Sequence, residues 1–314
     1  MGAVVMAVGT GNPRFVAVSC INIVVAANAG GAFSPFGDIT TLMVWQKGLV
    51  SFVEFFALFI PSLVNWLVPA ALMAFAIGQG KPEPQSDAAV IRKGGLTVVG
   101  LFIFTIALAV LFHAVLHLPP VLGMMTGLGV LKLYAYFMKR AYDRNAVPLN
   151  EPDDVFAEPA LEMDTRKTPF DPFKQLERSE WDTLMFFYGV ILAVGGLGTI
   201  GYLALASTAM YGGLGPTVAN TLVGLMSALV DNIPVMFAVL SMNPDMSHGQ
   251  WLLVTLTAGV GGSLLSIGSA AGVALMGQAR GVYTFFSHLK WTWAIALGYA
   301  ASIATHLFLN KHLF

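Results

Sequence analysis

The stretch Asn28-Ala-Gly-Gly-Ala-Phe-Ser-Pro-Phe-Gly-Asp-Ile-Thr-Thr41 decides how this chain of 314 residues folds. An apolar run from Phe15 to Ala27 leads into it, and Leu42 to Trp45 follow, so a carboxylate, a proline and three glycines fall at what should be membrane depth. Helix cannot run cleanly through such a stretch. Gly30, Gly31, Pro35 and Gly37 interrupt the hydrogen-bond ladder and free backbone carbonyls and amides. Asn28, Ser34, Asp38, Thr40 and Thr41 add side-chain oxygens nearby. Unwound backbone and clustered oxygens at this depth are the composition of an ion site.

The rest of the chain agrees with a lipid solvent. At 56% apolar residues, 11% charged and a mean hydropathy of +0.74, it reads as an all-α polytopic membrane protein rather than two soluble domains. The net charge of −1 says nothing of partners, because nearly all charges fall in two loops. Those loops hold no basic patch suited to nucleic acid. The single Cys20 lies in an apolar run and reads as a packing residue. No nucleophile-base-acid set, phosphate loop or complete metal-ligand set appears, so neither an enzyme nor a cofactor is expected.

In chain order, 15–27 and 39–46 form one discontinuous helix, and 49–77 a helix kinked by Pro61 and Pro69 with Glu54 near its watery end. Spans 94–112 and 119–138 make a helical hairpin between the polar segments 79–93 and 139–180. Both polar segments are rich in Lys and Arg and lie on one side, which the positive-inside rule makes cytoplasmic in the inner (plasma) membrane. His113 and His117 share a helical face in this reading and are taken as interfacial. A span at 181–205 contains Gly196-Leu-Gly-Thr-Ile-Gly201, which lacks the strand context of a dinucleotide loop and is read as permitting close helix packing. Two apolar arms, 217–229 and 235–242, are too short to cross alone and predict a re-entrant hairpin with Asp231-Asn232 at its tip. A second discontinuous helix follows, 250–260 and 270–286 with its break at 261–269, and then a last span at 291–309. Arg280, His288, Lys290 and His306 read as boundary residues.

Gly30-Gly31 and Gly37 align with Gly261-Gly262 and Gly268 at an offset of 231 residues, which also sets Asp38 over Ser269. Repeated broken helices are the sequence pointer to a secondary transporter whose site lies at a repeat interface. The same offset sets the counterpart of Asp231-Asn232 at the very start of the chain. The expectation is therefore a transporter built of two repeats whose first repeat is incomplete: 1–138 the end of repeat one with connecting helices, 139–180 a cytoplasmic loop, 181–314 repeat two.

The strings NAGGAFSPFGDITTLMVWQKG (28–48), SALVDNIPVMFAVLSM (227–242) and GVGGSLLSIGSAAGVALMGQARGVYTFF (259–286) resemble NhaD-type sodium/proton antiporters of the ion transporter superfamily. The resemblance implies an inverted-repeat fold, with two re-entrant hairpins and two broken helices meeting near the midplane, and exchange of external protons for internal Na+ or Li+. The alternatives are an anion carrier of the same superfamily, for arsenite or a dicarboxylate, and an inactive fragment. A homodimer stays open as an assembly. A hard alkali cation wants oxygen ligands, and exchange needs a carboxylate able to hold either the ion or a proton. Asp38 and Asp231 are assigned that transient ion and proton site, with Asn232, Asn28, Ser34, Thr40, Thr41, Ser263 and Ser269 as oxygen donors. Gly30, Gly31, Pro35, Gly37, Gly261, Gly262 and Gly268 are the backbone breaks. The competing reading of Asp38 is a helix N-cap, and of Asp231 a tip that only holds neighbouring helix ends.

Overall fold

The computed structural model describes residues 1–9, 11–77, 94–145 and 181–314, and every regular element among them is helical. The basic segment 79–93 and most of the 139–180 loop lie outside the described residues. Two units are present, one made of residues 1–88 and 186–314, the other of 89–185.

The larger unit is built around the helix we label α11, His248–Gly261, which follows α1 (Gly2–Val8), α2 (Pro13–Gly31), α3 (Ile39–Gln46), α4 (Phe59–Ala76), α5 (Gly95–Ala114), α6 (Pro120–Asn145), α7 (Trp181–Thr199), α8 (Tyr202–Ser207), α9 (Pro216–Ser227) and α10 (Asn232–Met242). After it come α12 (Ala270–Gln278), α13 (Phe285–Leu289) and α14 (Thr292–Leu309). Every residue of α11 from Gly249 to Gly261 is buried. A helix apolar on all sides must be surrounded. Here α9 packs along it, and α2, α3, α10 and α14 also touch it. Polar side chains fasten α9 to α11 where neither helix has much apolar contrast to fix its register. Asn220 Nδ2 donates to the Gln250 carbonyl and Oε1, both at 3.0 Å, and Gln250 Nε2 donates to Thr217 Oγ1 at 2.7 Å. Thr257 Oγ1 donates to the Asn220 carbonyl at 2.8 Å.

Around this core, α2 and α14 flank α4. The N-terminus of α2 is set by Asn12, whose side chain accepts from the Phe15 amide, with Pro13 in the first turn. Trp66 Nε1 donates to Asn22 Oδ1 at 2.6 Å and Phe33 meets Phe59 edge-on, so α2 and α4 run in opposite directions. Inside α4, Pro69 deprives the Asn65 carbonyl of its usual donor. Gly298 of α14 seats against this spot: a Cβ there would lie 2.5 Å from the Asn65 carbonyl oxygen and 2.8 Å from Pro69 Cδ. Gly298→Leu should therefore separate the two helices at a cost of about 1–3 kcal/mol or more. A thermal-unfolding scan in detergent should show it as a clearly lowered midpoint with Gly298→Ala in between.

In the smaller unit α5 and α6 pair antiparallel, with Gly123 against Ala109 and Gly127 against Thr105. Among the described residues five helices are long and apolar enough to cross a membrane: Pro13–Gly31, Glu54–Ala76, Gly95–Ala114, Pro120–Met138 and Thr292–Leu309.

Four expected boundaries need correction. The helix expected to stop at Ala27 continues to Gly31. The span expected at 181–205 is broken, with Leu184–Thr199 and Tyr202–Gly212 inclined at 82°. The cause is Gly201, whose φ of +88° lies in the left-handed region. The neighbouring glycines do not pack closely as expected, since a Cβ on Gly195 or Gly196 would meet open space. The helix expected to reach 286 ends at Gln278, and α13 starts again at Phe285 with Thr284 as its cap. Finally, α5 ends at Ala114 and His117 has a φ of +53°, so His113 and His117 do not share a helical face.

Candidate functional site

The first unwound segment is 32–38, which leaves Gly30 and Gly31 in the last turn of α2 rather than in the break. Its backbone is tied internally. Gly37 N–H donates to the Ser34 carbonyl at 2.9 Å, and Phe36 N–H to Ser34 Oγ at 3.3 Å. The Thr41 hydroxyl lies 2.8 Å from the Ser34 carbonyl and 2.7 Å from that of Asp38, and it accepts from Asp38 N–H at 3.3 Å. Asp38 Oδ1 accepts from Thr40 N–H at 3.5 Å, so Asp38 is indeed the N-cap of α3. Only one carboxylate oxygen is used this way. The other is left for a partner from elsewhere.

The second unwound segment is 262–269, with Gly261 in the last turn of α11 and a single 3-10 turn at Ser266–Gly268. The two breaks close alike. A Cβ on Gly37 would strike the Gly31 backbone, and a Cβ on Gly262 would strike the Gly268 carbonyl. These are the glycine pairs that the offset of 231 residues aligns. In both places the chain leaves a helix and folds back so closely that only hydrogen fits on one Cα.

The second break is also held from outside. His288 Nε2 lies 2.9 Å from the Ser263 carbonyl, and His288 Nδ1 lies 2.8 Å from Tyr283 Oη. A carbonyl can only accept, so Nε2 carries the proton and Nδ1 accepts from the tyrosine. His288 is fully buried, which corrects its reading as a boundary residue. His306 is corrected likewise: it is fully buried, with Nε2 3.0 Å from the Gly249 carbonyl and Nδ1 2.9 Å from Asn310 Nδ2. Arg280 does stay exposed, its Nε donating to the Gly277 carbonyl. Glu54 stays at the surface too, accepting from Ser51 N–H at 2.7 Å with His248 Nε2 3.3 Å away.

The first break meets the tip of the α9–α10 hairpin. Asn232 Nδ2, in the first turn of α10, donates to Asp38 Oδ2 at 2.6 Å across 194 residues of sequence. Asp231 occupies the N-cap position of α10. Its carboxylate faces the amides of Asn232 and Ile233 and is close enough to Asp38 for the two charges to interact. A second bridge runs from Ser269 Oγ to Asn28 Oδ1 at 3.0 Å, joining the end of α2 to the end of the second break. Two buried polar atoms beside these bridges have no hydrogen-bond partner, Asn28 Nδ2 and Thr40 Oγ1. Buried polar groups are seldom left so without a purpose.

Thus Asp38, Asp231 and Asn232 form one cluster, and Asn28 and Ser269 link the two breaks. Thr41 and Ser34 hold the first break together, while Thr40 contributes an unpartnered hydroxyl. Ser263 stands somewhat aside, its hydroxyl 2.6 Å from the Val260 carbonyl in the last turn of α11. Sequence reasoning passed over Ser227, which donates to the Ala258 carbonyl at 2.7 Å, and the His288–Tyr283 pair. A hydroxyl in an apolar helix beside the Asp-Asn tip was the available signal for Ser227. For the histidine there was none, because its partner carbonyl is 25 residues away.

Comparison with known proteins bears on what such an arrangement does. The sequence model of the CitMHS family, described as citrate transporter, matches residues 1–259. A protein of Alkalimonas amylolytica named Na(+)/H(+) antiporter NhaD is 57% identical over 100% of this chain and 65% of its own length. A namesake from Vibrio parahaemolyticus is 59% identical over 96% of this chain and 73% of its own. Sodium/proton antiporter 1 of Arabidopsis thaliana is 33% identical over 91% of this chain and 47% of its own. The chain thus spans about two thirds of the length of the bacterial relatives. No solved structure matches it. With a broken helix joined to a hairpin tip through an acid and an amide, and with identity of this order along its whole length, the chain belongs to the citrate-transporter family of membrane proteins, among its NhaD members.

Proposed function

We propose that this chain carries the cation and proton site of a sodium/proton antiporter, with Asp38 and Asp231 as the groups that exchange H+ for Na+ or Li+. The observation that supports this most is the 2.6 Å bond from Asn232 Nδ2 to Asp38 Oδ2, with Asp231 beside it. An amide N–H donates to an ionised carboxylate, so Asn232 holds Asp38 in the form that binds a cation. The two acids side by side are mutually repulsive unless a cation or a proton lies between them. Either one satisfies the site, and both together over-fill it. That competition is the coupling: an alkali ion enters as a proton leaves, and the reverse on the other face of the membrane. Thr40 Oγ1 and Ser269 are the neighbouring oxygens, and the unwound carbonyls of 32–38 and 262–269 complete a hard-ligand set.

The same reading takes the two glycine-closed breaks as equivalent parts of an inverted repeat, of which 181–314 is the second copy and 1–138 the end of the first. It places the protein in the inner membrane with 139–180 cytoplasmic, and it assigns transport and no enzymatic reaction. A homodimer is compatible with it. The relatives named as sodium/proton antiporters favour this substrate over an anion, and so does the charge, since two acids at the site repel citrate or arsenite. Reconstitution in liposomes tests it. Addition of Na+ or Li+ should dissipate an imposed pH gradient. Uptake of labelled citrate without Na+-dependent proton movement would replace this reading by the anion carrier, and neither signal would mean that the chain does not transport by itself.

A further inference from the structure

A groove of about 540 Å³ is lined by Arg14, Ala17, Val18 and Ile21 of α2 and by Lys290, Trp291 and Trp293 at the start of α14, where Thr292 donates to the Leu264 carbonyl of the second break. It is distinct in character from the rest of the apolar exterior. Two cations stand at its mouth, both exposed, and the described residues offer neither an acidic partner. The indoles of Trp291 and Trp293 stack with ring centroids 6.3 Å apart, and Trp293 is 56% exposed. The half-buried Ala17 and Val282 add aliphatic surface, with Val18 and Ile21 buried behind it.

The packing fixes where this groove lies. Asn310 Nδ2 donates to the Ala57 carbonyl, and Gly298 meets Asn65 and Pro69, so α14 runs opposite to α4. The Asn22–Trp66 bond and the Phe33–Phe59 contact make α2 run opposite to α4 as well. The starts of α2 and α14 therefore share the end of α4 near Ala76, from which the chain enters the segment with Lys81, Arg92 and Lys93. Arg14 and Lys290 stand at this end, and the Lys- and Arg-rich sequence that follows α4 makes it the cytoplasmic interface by the positive-inside rule. Stacked indoles at this depth are what an interface between headgroups and acyl chains selects.

We propose that this groove binds an anionic phospholipid of the inner leaflet, its phosphate between Arg14 and Lys290 and its acyl chain along Trp291, Trp293, Ala17 and Val282. Two cations without an acidic partner among the described residues match a phosphodiester in charge. The aliphatic wall and the indoles match a chain, and a volume of this size falls in the range of ligand sites. A free phosphate would need the cations and leave the apolar wall without a role. The lipid uses both.

The test uses the membrane-inserted chain in nanodiscs containing bromine-labelled lipid as a tryptophan quencher. Brominated phosphatidylglycerol at low mole fraction should quench Trp291 and Trp293 well above brominated phosphatidylcholine, the signal of both indoles being isolated by difference with Trp291→Phe/Trp293→Phe. Arg14→Gln/Lys290→Gln should lower the apparent affinity for the anionic lipid by about thirtyfold, from roughly fivefold per basic side chain near a membrane surface. Lys311→Gln, at the other end of α14, should leave it unchanged. Equal quenching by the two lipids in the unaltered chain overturns the proposal whatever the variants do. So does displacement of the lipid signal by millimolar inorganic phosphate, which would make the groove an anion site.

Discussion

Replacing Asp38 by Asn should abolish sodium-dependent collapse of a pH gradient in reconstituted vesicles while leaving the protein folded. The substitution keeps shape and cap: Asn is as good an N-cap as Asp, and its amide oxygen still accepts from Thr40 N–H, while its amide nitrogen replaces the oxygen that accepted from Asn232 Nδ2, so that one bond is lost with the charge. What disappears is the negative charge and the proton it can hold. Unit charges about 4 Å apart at an effective dielectric of ~20 attract by about 4 kcal/mol, close to a thousandfold in cation affinity. Asp231→Asn removes the second charge from the same cluster and should also abolish exchange. Asn232→Ala removes a donor to a charged acceptor, worth about 1.5–3 kcal/mol, and should weaken exchange tenfold or more without eliminating it. Thermal unfolding midpoints within a few degrees of the parent would show that the loss is chemical. If Asp38→Asn and Asp231→Asn both exchange normally, the carriers proposed here are wrong.

The first break could be read from the sequence because Pro35, Gly37 and Asp38 stand together in an apolar run, and few other arrangements reconcile them with lipid. Its start was misread. Asn28, Gly30 and Gly31 look like breakers, yet the helix runs through them, because in apolar surroundings the backbone keeps its own bonds and Asn28 spends its side chain on Ser269. The Asp231-Asn232 tip was legible for the same reason as the first break, but its partner was not. Nothing local says that Asn232 bonds Asp38, 194 residues earlier. The hint came from the resemblance, which implies hairpin tips and broken helices meeting near the midplane. The bend at Gly201 was missed because a glycine can signal close packing or a left-handed turn, and only φ distinguishes them. Buried histidines misled in a similar way. Next to Lys and Trp near helix ends, His288 and His306 look interfacial, and their carbonyl partners are set by tertiary packing alone.

His288→Leu should be the most damaging single change outside the acid cluster, and it should act on the cation more than on the fold's existence. The imidazole is fully buried and satisfies two groups at once, the Ser263 carbonyl through Nε2 and the Tyr283 hydroxyl through Nδ1. Leucine leaves both unpaired, at about 1–3 kcal/mol each, so the unfolding midpoint should fall. The position of the loss matters more than its size. Ser263 opens the unwound segment that ends in Ser269, and Ser269 Oγ bonds Asn28 beside the first break. Freed from His288, residues 262–269 no longer have a fixed carbonyl at their start, and the oxygens they present lose their alignment. The apparent KM for Na+ should then rise about tenfold or more, with the turnover at saturating Na+ reduced less. His288→Gln gives the discriminating comparison, because its Nε2 can still donate to the Ser263 carbonyl while the bond to Tyr283 is lost. Recovery of most of the Na+ affinity by Gln but not by Leu would assign the histidine to positioning the break. Tyr283→Phe should then resemble Gln, since it removes the hydroxyl that orients the ring and leaves the imidazole in place. A Leu variant with normal Na+ dependence and only a lowered unfolding midpoint would reduce His288 to a packing residue.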